Sequence, residues 1–125
     1  MDNLVVTGGA GFIGSCFVRQ LLAAEKFRVI NLDALTYAGN RDSIPVDSDR
    51  HVFVHGDIGD RNLVRDLLEK YQPLGIVNFA AESHVDRSID GPLTFVETNV
   101  LGTCRLLEEV RHWYGAVDNS IRRQF

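Results

Sequence analysis

The chain has few of the residues that mark extracellular, membrane or nucleic-acid-binding proteins. Only two of its 125 residues are cysteine, and no Asn-x-Ser/Thr glycosylation signal occurs. Its apolar runs are far too short to span a bilayer, and the segment after Met1 lacks the basic region of a signal peptide. The net charge of -4 argues against nucleic acid or an anionic membrane as the main partner. With 45% hydrophobic residues, we expect one compact cytoplasmic domain.

The cysteines and histidines carry little functional signal. Cys16 and Cys104 both fall within predicted helices, where two buried thiols in an intracellular protein are favoured over a disulfide. His51 and His55 flank a predicted strand and His112 lies late in a helix. No pair of histidines has metal-ligand spacing beside a carboxylate, so we expect no metal site.

A glycine-rich segment follows the first apolar run. Gly8 and Gly11 lie between a predicted strand at 3–7 and a helical pattern that begins at Ile13, and Gly14 falls in the first turn of that pattern. The first glycine allows a sharp turn, the second lets backbone N–H groups approach phosphate oxygens, and the third lets the helix pack closely on the sheet. The helix N-terminus adds unpaired N–H donors. The segment predicts a cradle for the pyrophosphate of a dinucleotide, and a turn without a ligand is the alternative.

Acids follow the next two predicted strands. The strand at 28–32 ends in Asp33, roughly 20 residues beyond the glycines. An acid at this place can accept hydrogen bonds from the adenosine ribose and would repel the extra phosphate of NADP. We therefore predict NAD as the cofactor, with an ordinary turn acid as the alternative. Asp57, just beyond the strand at 51–55, fits a contact with the adenine amino group or a turn acid equally well.

The rest of the chain alternates strands and helices. Asp60 is expected to cap a helix that Pro73 ends, residues 75–81 to form a fourth strand, and one long helix to run from Pro92 to about Tyr114. This order predicts an α/β, Rossmann-type, doubly wound parallel sheet of about four strands in the order 3-2-1-4. The ligand would lie across the carboxyl ends of strands 1 and 4.

Three segments stand out along the chain: the glycine-rich segment 7–14, Leu-Thr-Tyr-Ala-Gly-Asn at 35–40, and Ala-Ala-Glu-Ser-His-Val-Asp-Arg-Ser-Ile at 80–89. Together they resemble the dTDP-glucose 4,6-dehydratases, which are extended short-chain dehydrogenase/reductase enzymes of nucleotide-sugar metabolism. The first is common to the whole superfamily, whereas the other two are more specific. The similarity extends along nearly the whole chain, and it implies that residues 1–125 are an incomplete NAD-binding Rossmann domain.

The resemblance also implies which residues bind the cofactor. They are Gly8, Gly11, Phe12, Ile13 and Gly14 at the pyrophosphate, Asp33, Ala34, Leu35 and Thr36 at the adenosine ribose, Asp57 and Ile58 at the adenine, and Phe79, Ala80, Ala81, Glu82, Ser83 and Thr98 beside the nicotinamide half. Ser83 would also touch the hexose of the substrate. By contrast, His84, Asp86 and Arg87 are expected to shape the sugar site as a hydrogen-bonded loop.

The family reaction needs residues that this sequence does not contain. Family enzymes oxidise the sugar at C4 by hydride transfer to NAD, eliminate water across C5 and C6, and return the hydride to C6. A Tyr-x-x-x-Lys pair and an Asp-Glu pair carry out these steps. The only lysines are Lys26 and Lys70, no tyrosine precedes either by four residues, and Glu108 and Glu109 are expected on a solvated helix face. The resemblance therefore implies truncation before the catalytic residues and a chain that is inactive alone.

Two other functions stay open. Another NAD-dependent nucleotide-sugar epimerase or dehydratase would share the glycine-rich segment, although the run at 82–88 argues against it. A non-catalytic NAD-binding module would fit the missing Tyr and Lys pair. For the full-length enzyme, the resemblance implies dTDP-glucose as substrate and a homodimer, with no nucleic-acid or membrane partner.

Overall fold

A four-stranded parallel sheet forms the centre of the computed structural model, which describes residues 1–35, 41–43, 46–81 and 85–125. The strands are β1 (Asp2–Thr7), β2 (Phe27–Asp33), β3 (His51–His55) and β4 (Gly75–Asn78). They lie in the order β3-β2-β1-β4, and every pairing is parallel. The Rossmann-type sheet and its strand order are therefore confirmed. The fourth strand is shorter than predicted, because it ends at Asn78 rather than at Ala81.

Helices cover both faces of the sheet. Helix α1 (Phe12–Ala24) covers one face, where Val18 packs against Val6 and Val29. The opposite face is covered by α2 (Arg61–Tyr71) and α5 (Thr103–Ala116). The core on that face includes Val5, Ile30, Leu32, Leu67 and Trp113. Because side chains alternate between the two faces and both faces are covered, β1 and β2 are apolar along most of their length.

Helix α2 begins and ends where the sequence predicts. The Asp60 side chain accepts a hydrogen bond from the Leu63 backbone N–H at 3.2 Å, which satisfies one of the free donors at the helix start. Gln72, with φ of 41°, takes the left-handed conformation that closes the helix before Pro73. The predicted cap is confirmed.

The predicted long helix after Pro92 is not one regular α-helix. The chain forms α3 (Val85–Asp90), α4 (Pro92–Val96), a π-helical segment (Glu97–Gly102) and then α5. A Cβ atom at Gly102 would lie 3.2 Å from the Glu97 carbonyl oxygen and 3.3 Å from Ile58 Cγ1. Because Gly102 has no side chain, the wide turn of the π-helical segment packs directly on the loop after β3. Neither α3 nor this segment is predicted by the sequence pattern.

Two expectations about side chains are wrong. Cys16 and Cys104 are free thiols, but both are exposed, because they lie on the solvent-facing sides of α1 and α5. Glu109 is only 5% exposed, and its carboxylate accepts a hydrogen bond at 3.2 Å from Arg65 on α2. Only Glu108 lies on a solvated face, as expected of both glutamates. Glu109 is buried because α2 packs against α5.

A short helix, α6 (Asn119–Arg122), follows α5. The Asp118 carboxylate caps it by accepting hydrogen bonds from the backbone N–H groups of Ser120 and Ile121. The Ser120 hydroxyl also donates to this carboxylate and, as the largest cause, lowers the pKa of Asp118. Within the part of the chain that the structure describes, no helix is long and apolar enough to cross a bilayer.

Candidate dinucleotide-binding site

The turn between β1 and α1 lies at the carboxyl edge of the sheet. We call residues 8–11 the glycine turn. The Gly8 N–H donates to the Leu32 carbonyl at 2.8 Å, which ties the turn to β2. Gly8 has φ of 69°, and a Cβ atom there would lie 2.6 Å from both the Phe79 carbonyl carbon and the Ala80 nitrogen. Only glycine therefore fits where the turn passes the end of β4.

The start of α1 is built closely onto this turn. A Cβ atom at Gly14 would lie 2.1 Å from the Gly8 carbonyl oxygen, so the first helical turn is in direct contact with the glycine turn. Among the described residues, no side chain caps this helix end and no acid occupies its first turn. Its first N–H groups are thus left for another acceptor, and the helix dipole favours an anion there. The residues present fit a pyrophosphate.

Asp33 connects the glycine turn to the end of β2. Its Oδ2 accepts a hydrogen bond from the Ala10 N–H at 2.8 Å, and its Oδ1 accepts one from the Leu35 N–H at 2.7 Å. The residue is 8% exposed. Each carboxylate oxygen has a second lone pair, so both can still accept a bond from a ligand hydroxyl. The two backbone bonds hold the carboxylate in one orientation beside the pyrophosphate cradle.

A bond between Thr7 and Asn78 joins the ends of β1 and β4, and the sequence analysis missed it. The buried Thr7 hydroxyl donates to the Asn78 side-chain oxygen, which also accepts from the Ala80 N–H at 3.2 Å. The pair fixes the chain after β4 beside Gly8. Polar residues at the ends of two neighbouring parallel strands were the available signal, because such ends meet at one edge of the sheet.

Asn31 was missed as well. It lies in the middle of an apolar strand with a relative exposure of 0%. Its side-chain nitrogen is 3.4 Å from His51 Nε2. A Cβ atom at Gly9 would lie 2.0 Å from Asn31 Oδ1, so this side chain supports the glycine turn from below. The available signal was a single amide within the buried strand.

Three further residues that were predicted to bind the cofactor, Asp57, Ile58 and Thr98, differ in how far their side chains are exposed. Asp57 is exposed, and its Oδ1 accepts a bond from the Gly59 N–H at 2.6 Å, the geometry of a turn acid. The Ile58 side chain is 4% exposed and belongs to the core, so a ligand would meet its backbone. Thr98 is half-buried within the π-helical segment.

Several predictions concern the chain just beyond strand ends. Ala34 and Leu35 are half-buried after β2, and Leu35 has φ of 53°. Phe79 and Ala80 are half-buried after β4, whereas Ala81 is exposed. The predictions for Thr36, Glu82, Ser83 and His84 lie outside the described residues, as do those for the side chains of Asp86 and Arg87.

The histidines of β3 make structural contacts. The exposed His55 has Nε2 3.0 Å from the Ala34 carbonyl oxygen, and His51 is fully buried. In the described ranges, no group of three or more His, Cys, Asp or Glu residues is arranged to hold a metal ion. The uncapped start of α1 is suited to an anion, and the Asp33 carboxylate is suited to a diol.

The fold is that of the dinucleotide-binding α/β domains. It has a parallel sheet in this strand order, a glycine turn that leads into a helix, and an acid after the second strand. The model of the GDP-mannose 4,6 dehydratase family matches residues 5–123. The chain belongs to this family.

Individual relatives narrow the comparison. A dTDP-glucose 4,6-dehydratase of Xanthomonas campestris pv. campestris (strain B100) is 53% identical over 128 residues, which are 100% of this chain and 36% of that protein. The crystal structure of DesIV, a dTDP-glucose 4,6-dehydratase of Streptomyces venezuelae with NAD and TYD bound, gives a TM-score of 0.82 at 50% identity, over 94% of this chain and 42% of the other.

A UDP-glucose 4-epimerase of Thermus thermophilus in complex with NAD is also similar, with a TM-score of 0.79 at 35% identity. The match covers 89% of this chain and 34% of the epimerase. The chain thus spans only about a third of the length of the curated relatives that it matches. Identity is higher to the dehydratases than to this epimerase.

Proposed function

We propose that this chain binds NAD across the carboxyl edge of its sheet, as the cofactor-binding part of a dTDP-glucose 4,6-dehydratase. The observation that carries the proposal is the Asp33 carboxylate, which is bonded to the Ala10 N–H of the glycine turn. The carboxylate that would bind the ribose hydroxyls is thereby hydrogen-bonded to the turn that would bind the pyrophosphate. Similar proteins crystallised with NAD support the proposal.

Each part of the edge has a separate role in this proposal. The N–H groups at Phe12 and Ile13 donate to the pyrophosphate, since they open α1 without a side-chain cap among the described residues. Gly11, whose N–H bonds to the Gly8 carbonyl at 3.1 Å, lines the same cradle with its backbone. Asp33 accepts bonds from the adenosine ribose hydroxyls, and its charge repels a 2′-phosphate. The stretch Phe79 to Ala81 runs beside the nicotinamide half. When bound, NAD supplies the acceptor for a hydride.

The remaining cofactor-binding residues are assigned by the same proposal. Asp57 and Ile58 lie after β3 and would border the adenine, and Thr98 would face the cofactor from the π-helical segment. Thr36, Glu82 and Ser83, which lie outside the described residues, complete the set as implied by the resemblance. Ser83 would also touch the hexose.

For the whole protein, we infer conversion of dTDP-glucose to dTDP-4-keto-6-deoxyglucose and water. The names of the relatives support this substrate, and the higher identity to dehydratases than to the epimerase favours dehydration. The 125-residue chain has no Tyr-x-x-x-Lys or Asp-Glu pair, so we infer that it makes no product by itself. We further infer that the whole protein is a homodimer, since large apolar side chains on α3 to α5 are exposed. A cytoplasmic location is inferred from the resemblance to the dehydratases.

Calorimetric titration of the chain with NAD and with NADP tests the proposed function. NAD should bind at least about tenfold more tightly, because a charged carboxylate meets the 2′-phosphate of NADP. Asp33→Asn should weaken the binding of NAD and reduce the preference for NAD over NADP. Asp66→Asn removes an exposed acid on α2 and serves as the matched control. Equal affinity of the unmutated chain for both cofactors would contradict the proposal.

A further inference from the structure

Below the glycine turn lies a buried polar pair that the proposed function leaves unused. Asn31 on β2 and His51 on β3 each have 0% relative exposure. The register pairs His51 with Val29, so Asn31 is its diagonal neighbour on the sheet face that α1 covers. The Asn31 Nδ2 atom lies 3.4 Å from His51 Nε2. One imidazole is therefore in contact with the amide that supports Gly9.

The surroundings of His51 determine which nitrogen carries the proton. Its Nδ1 lies 3.4 Å from the Val46 carbonyl oxygen, which can only accept, so Nδ1 is the donor. Nε2 is then the acceptor, and it receives a hydrogen from Asn31 Nδ2. This bond turns Asn31 Oδ1 toward Gly9, where a Cβ atom would lie 2.0 Å from it. Within the described chain, this buried Oδ1 has no hydrogen-bond partner.

Burial lowers the pKa of His51 from its ordinary value of 6.5. The Val46 carbonyl and Asp47, whose Oδ1 is 3.8 Å from Nδ1, oppose this shift, whereas Arg41 adds to it. In the part of the chain that is described, Asp47 and Arg41 are the charged groups that act on this ring. The ring is therefore neutral at neutral pH, and the midpoint of its protonation lies below 6.5.

We propose that Asn31 is a positioning residue for the glycine turn, and that the charge of His51 decides which amide atom Asn31 presents to Gly9. Protonated His51 has a hydrogen on Nε2, which meets the hydrogens of Asn31 Nδ2. The amide must then turn over, so that Oδ1 accepts from Nε2 and the NH₂ group is forced against Gly9. This contact displaces the turn that cradles the pyrophosphate.

The inference rests on the proposed function in one respect, since it predicts that NAD affinity falls when His51 is protonated. The added positive charge would by itself attract the pyrophosphate. However, His51 is the first residue of β3 and pairs with Val29, so it lies well below the carboxyl edge, and Asp47 is close enough to offset the charge. The displaced turn should therefore outweigh the attraction.

Titration of the chain with NAD as a function of pH tests this inference. The Kd of the unmutated chain should stay constant between about pH 7.5 and about pH 6.5 and rise severalfold on further acidification, because burial lowers the pKa of His51 below its ordinary value of 6.5. His51→Gln keeps a neutral amide at every pH, so its Kd should stay nearly constant. His112→Gln removes an exposed histidine of α5 and should behave as the unmutated chain does.

NMR of the unmutated chain gives a second readout that needs neither NAD nor a variant. The Gly9 backbone amide and the Asn31 side-chain amide should shift with the same midpoint as the His51 ring. If NAD fails to bind at any pH while these signals still titrate together, the positioning role is supported and the proposed function fails. Signals of Gly9 that do not follow His51, or a His51→Gln variant with the original pH dependence, would overturn the inference.

Discussion

At the residue scale, single atoms determine whether the glycine turn can form. Gly8 passes so close to Phe79 and Ala80 that one added methyl group would overlap backbone atoms that cannot move independently. Gly14 has the same relation to the Gly8 carbonyl. The site therefore requires glycine at both positions. The polar side chains of Asp33 and Asn31 hold the backbone of the turn in place.

The variant Gly8→Ala should lower the free energy of unfolding by at least about 2 kcal/mol, because it adds left-handed strain to a backbone overlap. It should also abolish NAD binding. Gly115→Ala is the matched control, since a Cβ atom there meets nothing within 4 Å, and it should raise the free energy of unfolding by about 0.5–1 kcal/mol. Urea denaturation measures both changes. A Gly8→Ala chain with unchanged stability would show that the turn is not packed as described.

At the element scale, charged side chains connect α2 to α5. Arg61 pairs with Glu108 at 2.6 Å on the exposed side, and Arg65 pairs with the buried Glu109 at 3.2 Å. The hydrogen bond to Glu109 is the largest cause that raises the pKa of Arg65. Both pairs join an arginine of α2 to a glutamate of α5, but the glutamates differ in burial, so comparison of the two pairs tests what the buried glutamate adds.

Glu109→Ala should lower the midpoint of urea denaturation clearly more than Glu108→Ala. The reason is that Glu109 fills buried space between the helices, whereas the exposed pair of Glu108 is largely screened by water. The matched control is Glu108→Ala itself, which removes the same side chain from the neighbouring position. Equal shifts of the two midpoints would contradict the buried role of Glu109.

Elements whose bounds depend on neighbouring residues could be predicted from the sequence, whereas elements that depend on contacts between distant parts of the chain could not. The short apolar run between His51 and His55 predicted the bounds of β3, and the Asp60 cap predicted the start of α2, because both signals are local. The π-helical segment depends on Gly102 packing against Ile58, which lies more than forty residues earlier in the chain. The Asn31 contact likewise depends on the register between β2 and β3, which no local pattern reveals.

At the scale of the whole molecule, the helices after β4 leave a large apolar surface. We call it the apolar row, and it comprises Ile89, Leu93, Val96, Val100, Leu101 and Leu107. Exposures of 74% for Leu93 and 62% for Leu107 show how little of it is covered. The spacing of three or four residues from Ile89 to Val100 is typical of one helix face, and exposed apolar faces of this kind mark sites of association. In addition, β4 is an edge strand of the described sheet.

The chain should therefore self-associate, and sedimentation velocity over a range of concentrations measures this. Val100→Glu should weaken association by about tenfold, because it places a charge within an apolar contact. Val46→Glu changes a valine outside the apolar row that is more exposed than Val100, and it should have no effect. A chain that stays monomeric at every concentration would show that the apolar row is not an association surface.

The central claim is that the glycine turn and Asp33 together bind NAD, and mapping of backbone NMR shifts tests it most directly. Addition of NAD should shift signals at the carboxyl edge, from Gly8 to Gly14, at Asp33 and from Phe79 to Ala81. The amides around Arg65 and Glu109, between α2 and α5, should not move. Saturable shifts confined to the carboxyl edge are the predicted result. Shifts centred between α2 and α5, or none at the glycine turn, would contradict the account.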